Sequence, residues 1–127
     1  MRIEYVAMYV SDLEGMKDYY CNFFHATCSE LHYNSKIEMK IYYLSFDSGA
    51  KLKLMHKVDR QLDIHKQIRT GYSNLSFQVE TKEEVERIVM DLQNAKFEIL
   101  SGPKMTEAGN FECSVKDPEW NQIDIFA

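Results

Sequence analysis

The sequence is short of cysteine, of long apolar runs and of positive charge, and each shortage excludes a class of protein. Three cysteines are an odd number and cannot close a disulfide framework. Cys21 and Cys28 stand seven apart and Cys113 is distant, so neither a CxxC redox pair nor a zinc knuckle is present. The three read as free thiols in a reducing cytoplasm. No apolar stretch approaches the ~20 residues that a membrane span needs. Met1 to Tyr5 enter a strand-like pattern directly, with Glu4 interrupting any apolar run, so no signal peptide and no membrane partner are expected. Fifteen Lys and Arg against twenty Asp and Glu give a formal net charge of −5, which argues against a nucleic-acid partner. At 127 residues the chain is too short for two separate cores with a true linker. His32, His56 and His65 have no ligand spacing such as HxxxH and read as surface or strand residues. What the chain does have is aromatic residues, 13% with eight Tyr and seven Phe, which suggests an aromatic-lined cavity or interface.

Hydrophobic periodicity then gives an order of elements. Ile3 to Val10 reads as a strand. Ser11-Asp12-Leu13-Glu14 is a capping box, and Leu13, Met16, Tyr20, Phe23 and Phe24 recur at helical spacing, predicting a helix over 12–24. His25 follows as a helix C-terminal residue facing the dipole. Strand-like runs occupy 27–33, 38–46 and 50–56, with turns at Asn34-Ser35-Lys36 and Asp47-Ser48-Gly49. Residues 57–70 are polar and aperiodic and read as a linker.

The pattern then starts again. Residues 72–79 read as a strand and Thr81-Lys82-Glu83-Glu84 as a second capping box. Val85, Ile88, Val89 and Leu92 mark a helix over 82–94. Strands follow at 97–100, 111–115 and 122–126, separated by turn material at Ser101-Gly102-Pro103, Ala108-Gly109-Asn110 and Asp117-Pro118-Glu119. The chain is therefore an internal repeat of two strand–helix–strand–strand–strand halves, about 1–56 and 71–127, within one domain. Each half is too small to stand alone, so the halves should pack with helices on one face of each sheet and a shared cleft on the other.

The order and spacing of these motifs resemble the vicinal oxygen chelate superfamily, the glyoxalase / bleomycin-resistance / extradiol-dioxygenase group. In the first half the resemblance rests on Val10-Ser11-Asp12-Leu13-Glu14 with Tyr19-Tyr20, on Tyr43-Leu44-Ser45-Phe46, and on Gly49-Ala50-Lys51-Leu52-Lys53-Leu54-Met55. In the second it rests on Gly71-Tyr72-Ser73-Asn74-Leu75-Ser76-Phe77, Ser101-Gly102-Pro103 and Asp117-Pro118-Glu119-Trp120-Asn121-Gln122-Ile123-Asp124. It implies an α+β fold in which two paired βαβββ modules form a curved mixed sheet around a central cleft. It also implies a divalent metal held by four His, Gln or Glu side chains, with open positions for two substrate oxygens.

This chain departs from that set. The four positions hold Tyr5, Lys53, Asn74 and Asp124, and an ammonium repels a metal instead of coordinating it. No cofactor is expected. Alternation puts Tyr5, Lys53, Asn74, Ser76, Gln122 and Asp124 on the cleft face, with Tyr9 and Met55 as apolar wall, while Leu52, Leu54, Leu75, Phe77, Val79, Ile123 and Ile125 face the core. Lys53 is expected to be hydrogen-bonded by Asp124, Asn74 and Tyr5, either as a satisfied core ion pair or as part of a site for an anionic or carbonyl-bearing ligand. Glu112 is an acid or base candidate or simply solvent-exposed, and Trp120 a rim contact, a dimer contact or exposed packing. The resemblance suggests a metal-independent small-molecule-binding homodimer, in the manner of the family's drug-binding resistance proteins. The alternative is a lactoylglutathione-lyase-like enzyme (a lyase, isomerase or dioxygenase relative) using a displaced metal, or Lys53 and Asp124 as catalytic acid and base. A partner module with no small ligand is the third possibility.

Overall fold

A computed structural model describes residues 2–58 and 72–127. The chain divides into two compact units, Met1–Ile64 and His65–Ala127. In the first, strand β1 (Tyr5–Tyr9) leads into helix α1 (Leu13–Phe24), followed by β2 (Thr27–Cys28), β3 (His32–Asn34), β4 (Met39–Ser45) and β5 (Lys51–Lys57). The sheet order is β1-β5-β4-β2, with β3 also on β4, and β1 runs parallel to β5 while the other pairs are antiparallel. The second unit repeats the plan: β6 (Asn74–Gln78), α2 (Lys82–Asn94), β7 (Ile99–Met105), β8 (Phe111–Lys116) and β9 (Gln122–Phe126), in the order β6-β9-β8-β7 with β6 parallel to β9. Two mixed sheets, each with one helix, make the expected mixed α+β class. Among the described residues no helix is long and apolar enough to cross a membrane.

Each helix buries its apolar stripe against its own sheet. Leu13, Met16, Tyr20 and Phe24 of α1 are buried, as are Leu44, Leu52 and Leu54 on the strands it packs against. In the second unit the stripe is Val85, Ile88, Val89 and Leu92, over Cys113, Val115, Ile123 and Ile125. The alternation expected for the closing strands holds, while Leu75, Phe77 and Val79 are half-buried. Each fully buried aliphatic side chain contributes roughly 1.5–3 kcal/mol of transfer free energy. The cysteines are free thiols. Burial pushes the Cys113 thiol up to about 11 and raises Cys21 and Cys28 as well, which keeps all three protonated and unreactive at neutral pH.

Several local expectations are corrected. The cap of α1 is Asp12, not Ser11: its Oδ1 accepts from the Gly15 amide at 2.9 Å. A Cβ on Gly15 would lie 2.2 Å from Asp12 Oδ2, so glycine lets the carboxylate close over the helix end. The helix thus starts one residue later, and Glu14 is released from capping. The box at Thr81 forms, with its hydroxyl accepting from Glu84 N at 3.2 Å, but the Glu84 carboxylate reaches back to the amide of Glu80 at 2.9 Å. The run over 27–33 is two short strands. The Tyr43 amide donates to Ser29 Oγ at 3.0 Å where a ladder carbonyl would otherwise accept, which interrupts pairing with β4. Ser101-Gly102-Pro103 is not a turn but part of β7. Gly102 has φ 80, and a Cβ there would lie 2.5 Å from the Glu112 carbonyl oxygen, so the strand continues past the proline only with shifts in register. His25 is the left-handed C-cap of α1, its amide bonded to Tyr20 O. Lys57 is the last residue of β5, and the rest of the expected linker beyond Val58 lies outside the described residues.

Two measurements check this account. Gly102→Ala should lose more than about 1 kcal/mol in denaturant unfolding, since it combines positive φ with a backbone clash. The second concerns Glu14, whose carboxylate clips α1 to β4: Tyr42 Oη donates to Oε1 at 2.7 Å and Lys17 Nζ lies 3.0 Å from Oε2. The Tyr42 hydrogen bond, then that from Lys17, holds the Glu14 carboxyl below its usual value. A depressed folded pKa means the contribution is present above the ordinary glutamate value and lost as pH falls through the folded one. Tyr42→Phe should raise the Glu14 pKa in an NMR titration and cost at most about 1 kcal/mol, because Glu14 is largely exposed.

Candidate functional site

The sheet face opposite α1 is set by the pairing of β5 with its two neighbours. Lys53 stands opposite Ala7 on β1 and opposite Tyr43 on β4, while Tyr5 pairs with Lys51 one step along. Alternation puts Tyr5, Ala7, Lys53 and Tyr43 on one face and the buried Leu52 and Leu54 on the other. The small Ala7 leaves space beside Lys53. Its ammonium lies over the Tyr5 ring, 5.2 Å from the centroid, and over the Tyr43 ring at 5.5 Å. The two rings meet edge to face at 6.1 Å, and His32 meets Tyr43 at 5.8 Å. Such cation–π contacts contribute roughly 0.5–2 kcal/mol each, more as water is excluded.

The equivalent place in the second unit carries the opposite charge. Asn74 pairs with Gln122 as Tyr5 pairs with Lys51, so Asp124 occupies the place of Lys53, and its direct neighbours are Ser76 and Ser114. Asn74 Nδ2 donates to Asp124 Oδ2 at 2.7 Å. Ser114 Oγ and Gln122 Nε2 donate to Oδ1 at 2.6 and 3.2 Å. Lys53 is thus held by Tyr5 and Tyr43, and Asp124 by the residues at the same two positions, Asn74 and Ser114. Rings hold the cation and hydrogen-bond donors hold the anion.

The structure accordingly groups the expected site residues within their own units. Tyr5, Lys53 and Met55 share one sheet face, and Asn74, Ser76, Gln122 and Asp124 share the other. Tyr5 meets Lys53 with its ring face instead of its hydroxyl. Tyr9 is 58% exposed on the face that also carries Met55. Glu112 is half-buried on the Asp124 face, opposite Phe126 and Lys104. His56 turns to the helix side, its Nδ1 3.0 Å from the Val10 carbonyl oxygen, and His65 lies outside the described residues. Trp120 holds φ 70 in the turn before β9. That turn is organised by Asp117, only 3% exposed, whose Oδ1 accepts from the Glu119 and Asn121 amides at 2.9 Å each. Sequence reasoning missed Tyr43 and Ser114. Strand alternation marks their face, but only the register of β4 and β8 brings them beside Lys53 and Asp124.

The four positions do not suit a divalent cation. Lys53 has no lone pair while protonated, Tyr5 offers a ring face, and both Asp124 oxygens already accept hydrogen bonds. Among the described residues no group of three or more His, Cys, Asp or Glu is placed to hold a metal.

The Glyoxalase/Bleomycin resistance protein/Dioxygenase superfamily model matches residues 2–125. No curated protein matches the sequence. Solved structures share the fold. The glyoxylase/bleomycin resistance protein/dioxygenase domain from Frankia sp. EAN1pec aligns with TM-score 0.86 at 14% identity, over 99% of this chain and 90% of that one. The trypanothione-dependent glyoxalase I of Leishmania major aligns at 0.79 and 18% identity, over 98% and 85%. The fosfomycin resistance protein FosX of Listeria monocytogenes aligns at 0.72 and 15% identity, over 98% and 89%.

The stacked lysine is directly measurable. The Lys53 ε-methylene protons should resonate upfield of an ordinary lysine because the ammonium they adjoin lies over two rings, 5.2 and 5.5 Å from their centroids. Tyr43→Leu should move them back towards the ordinary position and lower stability by about 1 kcal/mol.

Proposed function

Because this chain belongs to the glyoxalase/bleomycin resistance protein/dioxygenase superfamily, we propose that it is a small-molecule-binding member that works without a metal. The observation that carries this reading is the ammonium of Lys53, held over two tyrosine rings at a position where the resemblance places a metal-binding carboxylate. A metal at that place would meet a positive charge, and the carboxylate at the equivalent place, Asp124, already accepts from three donors. In this reading Lys53 supplies the attraction for an anionic or carbonyl-bearing ligand, and Asn74, Ser76, Gln122 and Asp124 are the polar ligand-binding residues of the second sheet. The protein acts as a cytoplasmic homodimer.

The polar groups suit binding without chemistry. An ammonium recognises a carboxylate or carbonyl oxygen through charge-assisted hydrogen bonds, worth roughly 1.5–3 kcal/mol each. The carboxylate of Asp124, locked by Asn74 and Ser114, orients those two side chains towards a fixed geometry, which lowers the ordering cost when a ligand arrives.

Elemental analysis of the purified protein and its melting temperature with and without a chelator test the reading together. The expected result is less than stoichiometric metal and a melting point unmoved by EDTA or by added zinc, nickel or manganese. Small organic anions should raise the melting point, because a ligand that binds only the folded state stabilises it. A stoichiometric divalent ion whose removal lowers the melting temperature would overturn the metal-free reading.

A further inference from the structure

We infer that the open face of the first sheet is a site for an organic monocarboxylate with an aromatic or similarly flat apolar body, the carboxylate taken by Lys53. The inference rests on the reading of the protein as a metal-free binder and names its ligand class.

Three observations carry it. The first is the state of Lys53 itself. It is half-buried, and among the described residues its ammonium lies over the rings of Tyr5 and Tyr43. A ring face stabilises the positive charge but accepts none of the three N–H groups well, so the ammonium retains donors for an anion. The neighbouring cations are already engaged: Lys51 lies 3.9 Å from Glu4, and Lys57 donates to the Ile37 carbonyl. One available ammonium matches one carboxylate better than a phosphate dianion.

The second is the charge of the face. The described strand residues that share it with Lys53 on β1, β3, β4 and β5 include no acid, as the register shows. An anion approaching Lys53 therefore meets no like charge among them, which a site for a cation or a neutral polar ligand would not require.

The third is what flanks the ammonium. The next row across the sheet on one side is His32, Ile41, Met55 and Tyr9, each paired with its neighbour in that order. That row lies two residues along the strand, about 6.6 Å from the row of Lys53, which is the reach of one aromatic ring. The row on the other side carries Lys51 with its acid partner and is polar. Tyr9 remains 58% exposed and Tyr5 46%, an unusual outlay of tyrosine surface that a flat ligand body would cover. The apolar part of the ligand therefore lies towards Met55 and Tyr9, with its carboxylate at Lys53.

Calorimetric titration of the full chain with phenylacetate, acetate, phenylacetamide and inorganic phosphate tests this. Phenylacetate should bind at least about tenfold more tightly than the other three, since acetate lacks the body, the amide lacks the charge and phosphate lacks both the body and the match. Lys53→Met should lose about tenfold or more of the phenylacetate affinity, with Lys53→Arg retaining most of it. Amide and aromatic NMR spectra of the free variants establish that each is folded. In the parent protein phenylacetate should shift the ring resonances of Tyr5, Tyr9 and Tyr43. Equal affinity for phenylacetate and acetate, or an unchanged phenylacetate affinity in folded Lys53→Met, overturns the inference. If phenylacetate fails while neutral or larger small molecules bind the metal-free protein, the ligand class is wrong and the binding reading stands. If the protein instead needs a divalent ion to bind any of the four, both are wrong.

Discussion

The parallel pairing of the first and last strand in each unit is the constraint on which the candidate site depends. A parallel pair cannot be joined by a tight turn, so each chain segment crosses over through a helix and further strands, β2 to β4 in the first unit and β7 and β8 in the second, before returning beside its start. That crossover covers one sheet face with α1 or α2 and leaves the other for chemistry. The register of the two pairs is the same, Tyr5 with Lys51 and Asn74 with Gln122. It follows that Lys53 and Asp124 occupy one structural position in two copies, and that their flanking residues correspond as well.

Given that frame, the contrast between the copies is chemical. The first copy surrounds its charge with rings, and the second surrounds its own with hydrogen-bond donors. A cation is satisfied by the negative face of an aromatic quadrupole, whereas a carboxylate needs N–H and O–H groups. The supporting residues therefore differ with the sign of the charge they hold: tyrosines at 5 and 43, asparagine and serine at 74 and 114.

The helix ends show a similar exchange of roles. Because Asp12 caps α1, with Gly15 making room for its carboxylate, Glu14 is available to reach Tyr42 on β4. One side chain closes the helix and another ties it to the sheet. In the second unit Thr81 and Glu84 share the end of α2 between them, and no equivalent of the Glu14 clip is needed to explain its packing, which rests on Val85, Ile88, Val89 and Leu92.

The sequence by itself determined the repeat, both helices, the buried faces of the closing strands and the places of Tyr5, Lys53, Asn74 and Asp124. These are properties of local periodicity: Leu52 and Leu54, or Ile123 and Ile125, declare their face by alternation alone. The tertiary structure alone decided what those side chains touch. Tyr43 and Ser114 each lie ten residues before the charge they support, Lys53 and Asp124, and the registers of β4 on β5 and of β8 on β9 decide that they stand directly opposite. The passage of β7 through Gly102 and Pro103 was hidden for the same reason. Glycine and proline mark a turn when read locally, while the close approach of the Glu112 carbonyl that makes glycine necessary there belongs to the neighbouring strand. Period and residue type are carried along the chain, but register and contact arise between strands.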